Sequence, residues 1–147
     1  MKVGGGWRYL FRAIDQFGQV IDVFLSPRRD GKSARRFFAQ AIERTRVSPA
    51  EVTTDRYRVY PRVLDELLPA TFHRTEAMPT TPLKPTTGGL KARLRPMRGM
   101  KRDRTAAVIV AGHAFMQNLR RGFYDLGTDV PSASRLADAF AELALVI

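Results

Sequence analysis

The sequence has no cysteine and only two histidines, His73 and His113. Disulfide frameworks, thiolate metal sites and reactive-thiol chemistry are excluded, and a zinc site is short of ligands. No apolar run approaches the roughly 20 residues that cross a bilayer, and Met1-Lys2-Val3-Gly4-Gly5-Gly6 lacks the apolar core of a signal peptide. A cytoplasmic protein with no membrane partner is expected. Acids are scarce, 14 against 25 bases, for a net charge of +11. Lysine is scarce too, with 5 residues beside 20 arginines. The planar arginine fork suits bidentate phosphate contact, so nucleic acid is the natural partner. Codon composition or solubility would also give an arginine-rich balance, so the placement of the charges decides more than their sum. At 147 residues the chain fits one domain with its own core.

What is present begins with alternation. Trp7, Tyr9, Phe11 and Ala13 fall on one face, with Arg8 and Arg12 on the other, which is the period of a strand. Asp15-Gln16-Phe17-Gly18 turns the chain, and Gln19 to Leu25 forms a second strand in an antiparallel hairpin ended by Ser26 and Pro27. Asp30 is placed to cap a helix over roughly Ser33 to Thr45, with Ala34, Phe37, Phe38, Ala41 and Ile42 as its apolar stripe and Arg35, Arg36 and Arg44 opposite. A β-branched run, Val52-Thr53-Thr54, then delivers Asp55, and a helix follows from about Tyr57-Arg58-Val59-Tyr60-Pro61, carrying Val63, Leu64, Leu67 and Leu68 inward before Pro69. Strand ends are where open α/β sheets do chemistry, which makes Asp55 a candidate site; the competing reading is that it caps the following helix. Thr71 to Thr75 is a weaker strand. Hairpin, helix, strand, helix, strand implies an α/β layer with a mixed sheet, because a helical crossover favours parallel pairing.

The character changes after that. Pro79, Pro82, Pro85, Gly88 and Gly89 forbid a stable helix between Met78 and Gly89, so a loop is expected there. Leu90 to Arg104 is the densest basic stretch, and Lys91, Arg93, Arg95, Arg98, Lys101 and Arg104 are its candidate nucleic-acid contacts, with Arg102 among them. A helix follows to Arg120-Arg121-Gly122, with Val108, Ile109, Gly112, Phe115, Met116 and Leu119 at helical spacing. His113 has no second ligand at helical spacing and is expected to pack. A last helix over roughly Ala133 to Val146 uses Leu136, Phe140, Leu143 and Leu145, either to cover the sheet or to pair with a copy of itself.

Trp7-Arg8-Tyr9-Leu10-Phe11-Arg12-Ala13-Ile14-Asp15, with Gly18, Ile21-Asp22, Arg29-Asp30, Ala34 and Phe37-Phe38, resembles the catalytic core of transposases from bacterial insertion-sequence family six. Val52-Thr53-Thr54-Asp55 with Tyr60-Pro61, then Leu94-Arg95-Pro96-Met97-Arg98-Gly99, and Thr105-Ala106 with Ala111 to Gly122, continue the likeness in the same order. The resemblance implies a ribonuclease-H-like fold: a mixed sheet flanked by helices, with C-terminal helices, spanning an integrase core at residues 1–126 and an extension at 127–147. It implies magnesium held by two Asp and one Glu for cutting and joining DNA, since phosphoryl transfer uses paired hard cations fixed by oxygen ligands. By the same resemblance Asp55 is the second Asp, both catalytic and metal-binding.

Two positions depart from the family pattern. The first Asp of the family lies ahead of the segment that reads Lys2-Val3 here, so this chain is expected to lack it, as it is expected to lack a DNA-recognition region. The segment that normally supplies the Glu reads Thr80-Thr81-Pro82-Leu83-Lys84, which puts a lysine in its place, and Pro85 with Gly88-Gly89 breaks the helix that should follow. The expectation is a truncated transposase domain that keeps DNA binding and is inactive in cleavage. Two alternatives remain: a nuclease in which Asp15, Asp22 or Asp30 replaces the lost acids, with Glu51, Glu66 and Glu76 as further ligands, or a basic module that binds DNA or oligomerises, including with an intact transposase.

Overall fold

The hairpin expected near the N-terminus is the centre of the fold in the computed structural model, which describes residues 1–76 and 99–146. The elements run β1 Lys2–Val3, β2 Gly6–Trp7, β3 Tyr9–Ile14, β4 Val20–Ser26, α1 Gly31–Thr45, β5 Glu51–Thr54, α2 Tyr60–Leu67, β6 Phe72–Thr75, α3 Asp103–Arg121 and α4 Arg135–Ala144. The class is mixed α/β. The loop expected between Met78 and Gly89, and Lys84 within it, lie outside the described residues.

Local chemistry explains the hairpin. The Asp15 carboxylate accepts from the backbone N–H of Phe17 at 2.9 Å and of Gln19 at 2.8 Å, and Gly18 supplies the positive φ of 87° that the turn needs. β3 and β4 then pair antiparallel, with Phe11 opposite Phe24 and Ala13 opposite Asp22. Phe11 and Phe24 face α1 and α2, where Phe11, Ala34, Phe37 and Val63 form the main core and Phe38, Val59, Tyr60 and Leu67 pack around it. Leu25, on the other face, joins Val3, Met100, Ala106 and Ile109 in a second cluster beneath α3. The hairpin is thus covered by helices on both sides, which is how a two-stranded ribbon becomes stable.

α1 begins as expected: the Asp30 side chain accepts from Ser33 N at 2.8 Å. At its other end Arg46 adopts a left-handed conformation and closes the helix on Ile42. On the hairpin side, buried Asp22 is held by Gln40 Nε2 at 2.9 Å and Arg44 at 2.7 Å, so a polar link crosses between β4 and α1. α3 is fixed at both ends. Arg8 binds Asp103 through two nitrogens at 2.8 and 3.0 Å, and the buried Asn118 amide both accepts from Val20 N and donates to Val20 O, each at 2.8 Å. That side chain does for the start of β4 what a neighbouring strand would do.

Three expectations need correction. The single mixed sheet is instead three two-stranded ladders: β1 with β2 and β3 with β4, both antiparallel, and β5 with β6, parallel. The parallel pair follows from the α2 crossover as anticipated. However, no described strand bridges β3 to β5, and the Arg29–Asp55 ion pair links the loop after β4 to the end of β5. Trp7 does not continue the buried face of Phe11, because the strand breaks at Arg8, which turns toward Asp103; Tyr9 is on the Phe11 side of β3 but at the end of the strand, and both rings are exposed. On α3 the inward face is Ala106, Val110, His113 and Leu119 with Asn118, whereas Val108, Gly112 and Phe115 are exposed. The anchors at Asp103 and Asn118 set the rotation of that helix, and hydrophobic spacing alone did not contain them. His113 is buried in that face, among the packing residues.

α4 packs on α3 through buried Ala139, while Phe140, Leu145 and Val146 remain exposed. None of the described helices is long and apolar enough to cross a membrane.

Candidate functional site

β5 ends at Thr54, and Asp55 follows directly, half-buried at the strand terminus. It is not the cap of α2, whose N-cap is Val59 with no side-chain hydrogen bond. One carboxylate oxygen accepts from Tyr57 N at 3.0 Å, a two-residue Asx turn that carries the chain out of the strand. The other meets Arg29 Nη2 at 2.5 Å. Arg29 lies three residues beyond β4, so this contact joins the end of the hairpin to the end of β5.

The arginine is held from several sides. Its guanidinium stacks over the Tyr57 ring at 4.3 Å from the centroid, and the Tyr57 hydroxyl donates to the Arg29 carbonyl at 2.5 Å. Burial lowers the Arg29 pKa, but hydrogen bonding to Tyr60 and the Asp55 charge outweigh it, so the net direction is upward. Burial raises the Tyr60 phenol, with the Asp55 charge adding to that and Arg29 opposing it. Tyr57 and Tyr60 touch edge-on at 5.4 Å, and Tyr60 in turn packs edge-on against Phe38 at 5.6 Å. Thr54 Oγ1 donates to the Asp55 carbonyl at 3.0 Å and lies 2.8 Å from His73 Nε2 on β6.

The other candidate acids are committed elsewhere. Asp15 organises the hairpin turn, Asp22 is bound by Gln40 and Arg44, and Asp30 caps α1. Glu66 pairs with Arg35 and Arg62, and both Glu51 and Glu76 pair with Arg74. None of these is brought to Asp55, and among the described residues no group of three or more His, Cys, Asp or Glu could hold a metal ion. Both oxygens of Asp55 already have partners, one of them a cation. The described donor set therefore does not fit the divalent ions that the resemblance implies, and Asp55 stands here in an ion pair.

Of the expected nucleic-acid residues, Lys91, Arg93, Arg95 and Arg98 lie outside the described residues. Lys101 and Arg104 are exposed at the start of α3, next to Arg102, which forms its N-cap. Sequence reasoning did not single out Arg29, Tyr57 or Tyr60 as a constellation around Asp55. The i+2 spacing of Asp55 and Tyr57 was a usable local signal for the Asx turn. Arg29 lies 26 positions away, and only tertiary structure brings it there.

Comparison with known proteins bears on what this arrangement belongs to. Residues 1–123 match the family described as DDE domain. A stretch of 56 residues is 39% identical to the transposase for insertion sequence-like element IS431mec of Staphylococcus aureus, covering 38% of this chain and 25% of that protein. The transposase for insertion sequence element IS257 in transposon Tn4003, also from Staphylococcus aureus, gives the same 39% over 56 residues. The uncharacterized protein pYV0051 of Yersinia pseudotuberculosis is 30% identical over 70 residues, which is 46% of this chain and 65% of that protein. The aligned stretch thus spans about a quarter of the length of the named transposases. With most of its length matched in one family, the chain belongs to the DDE transposases of insertion-sequence family six.

Proposed function

We propose that the chain is a transposase core that engages DNA by its basic surface but does not itself cut or join it. On this reading residues 1–126 make a ribonuclease-H-like core and residues 127–147 a helical extension. The antiparallel hairpin, the helix after it, and a following strand that ends in an acid support that assignment. The family generally uses divalent metal ions, which when bound stabilise charge on the oxygens of the transferring phosphoryl group.

The observation that carries catalytic silence is the state of Asp55: its carboxylate is taken up by Arg29 and Tyr57, and the described residues contain no group of three or more His, Cys, Asp or Glu that could hold a metal ion. The proposed replacement of the family Glu by Lys84 would add a positive charge where a cation should bind. DNA binding rests on the net charge of +11 and on the basic run from Lys91 to Arg104.

Salt titration tests the binding half. If four to six of these bases touch phosphates, log affinity falls against log salt with a slope of roughly −4 to −5, with little dependence on base sequence. Changing Arg93, Arg95 and Arg98 to Ala should flatten the slope by roughly two to three units. An unchanged slope places the contacts elsewhere, and no binding at low salt refutes the DNA reading. Exposed Phe140, Leu145 and Val146 favour a second property, association with another copy or with an intact relative, which sedimentation of the chain alone and mixed with that relative would detect.

A further inference from the structure

A second basic site lies at the opposite end of α3 from Lys101, Arg102 and Arg104. Arg120, Arg121 and Arg135 line an open cleft of about 600 Å³ together with Ser132 and Ala133, where the end of α3 meets the start of α4. Six other arginines, at positions 8, 29, 35, 44, 62 and 74, have a carboxylate partner. Among the described residues these three have none, and neither do Arg12, Arg28, Arg36, Arg46, Arg56, Arg58, Arg102 and Arg104; what sets the three apart is that they line one cleft, although Asp125, Asp129, Asp138 and Glu142 lie on the same stretch of chain. Glu142 instead accepts from Gly127 N at 3.2 Å. Three like charges converging on one cleft without a counter-ion repel one another, and an anion placed among them removes that cost.

Two of the three guanidinium groups are also fixed in place. Arg135 donates through Nε to the Gly127 carbonyl at 3.2 Å and through Nη1 to the Arg120 carbonyl at 3.0 Å. Gly122 makes room for it, since a Cβ there would sit 2.7 Å from Arg135 Nη1. Arg121 donates through Nη1 to the Gly18 carbonyl at 2.9 Å, and the Arg120 side chain makes no described hydrogen bond. A guanidinium has five N–H donors, so each of the three keeps donors to spare. Arg12 on β3 adds a fourth positive charge beside Arg121, and burial together with that neighbour lowers its pKa.

We propose that Arg120, Arg121 and Arg135 form a phosphate-binding cleft, built partly by the family domain and partly by the segment beyond its residue 123 boundary. Phosphate is favoured because its tetrahedral oxygens accept from several forks at once. The source is either a DNA backbone or a free phosphate group. The site is independent of Asp55 and of whether the chain cuts DNA.

The test compares the full chain with Arg120→Gln and with Arg120→Gln/Arg121→Gln. Arg120→Gln removes no described side-chain hydrogen bond and so keeps the fold intact even if the double variant does not. Titration with inorganic phosphate at constant ionic strength, against chloride, should show saturable binding that weakens at least about tenfold in the variants. A parallel titration with a short DNA duplex should show a salt slope smaller by about one unit per arginine removed if the backbone is the source. Phosphate binding with an unchanged DNA slope assigns the cleft to a free phosphate. Equal phosphate affinity in the wild-type chain and both variants, or no saturable phosphate binding at all, overturns the proposal. DNA binding that survives in that last case leaves the role of the Lys91 to Arg104 run untouched.

Discussion

Replacing Asn118 tests how α3 is attached to the hairpin. The side chain is 2% exposed and Val20 is 6% exposed, so neither end of the contact has water to fall back on. In Asn118→Ala, the Val20 N–H and carbonyl both lose a partner held at 2.8 Å. An orphaned buried polar group costs about 1 to 3 kcal/mol, so the pair together should cost roughly 2 to 5 kcal/mol. With a urea m-value of about 2 kcal/mol per molar, the midpoint should fall by roughly 1 to 2.5 M. Asn118→Asp is the sharper variant: it keeps an acceptor for Val20 N but sets a buried negative charge against the Val20 carbonyl. At neutral pH it should be at least as destabilising as Ala. Urea unfolding followed by circular dichroism reads both. A loss below about 1 kcal/mol for Ala, or an Asp variant close to wild type, would refute the claim that this amide completes the edge of β4.

Two further outcomes follow from the same contacts. A double-mutant cycle with Arg29→Met and Asp55→Asn should give a coupling of about 1 kcal/mol or less, because both side chains are about a third exposed, at 38% and 34%; a coupling well above that would mean the pair is shielded more than its exposure implies. Asp30 has its carboxyl held below its ordinary value of 3.8 by the Ser33 backbone N–H, then by the Ser33 hydroxyl. Because the folded state binds the proton less readily, the cap stabilises the chain above that ordinary value and is lost as pH falls through the lowered one. The difference in stability between wild type and Asp30→Ala should therefore shrink on acidification, and a difference that grows would reverse the sign.

Much of the fold was legible wherever the determining contact was short in sequence. Asp15 with Gly18, Asp30 with Ser33, and the pairing of Gln19 to Leu25 with the strand before the turn each depend on neighbours close in sequence, so pattern and structure agree there. The α2 crossover likewise foretold the parallel pairing of β5 and β6. The β1–β2 hairpin was missed although Gly4 and Gly5, both with positive φ, were visible as a two-residue turn; strands of two residues leave too little alternation to notice. The rotation of α3 was misjudged because Val108 and Phe115 continued a plausible apolar stripe, whereas the helix is set by polar contacts to Val20 and Arg8 about 95 or more positions away. The same limit applies at the candidate site. The position of Asp55 at a strand end followed from β-branched residues running into an acid, but its ion pair with Arg29 depends on how β4 and β5 sit relative to one another. Asp22 was one of the acids that the alternative nuclease reading offered as a replacement, although its place in mid-strand did not put it beside Asp55; α1 folding over it makes it a buried link.

Cleavage of DNA is the most direct measure of whether Asp55 serves chemistry or structure. Purified chain incubated with supercoiled plasmid and magnesium or manganese, at salt low enough for binding, should retain the plasmid without nicking, linearising or joining it. Asp55→Asn should leave that result unchanged, and Lys84→Glu alone should not create activity. Metal-dependent nicking by the unmodified chain that disappears in Asp55→Asn would contradict the account, and would mean that other acids assemble around Asp55 when the metal and DNA are present.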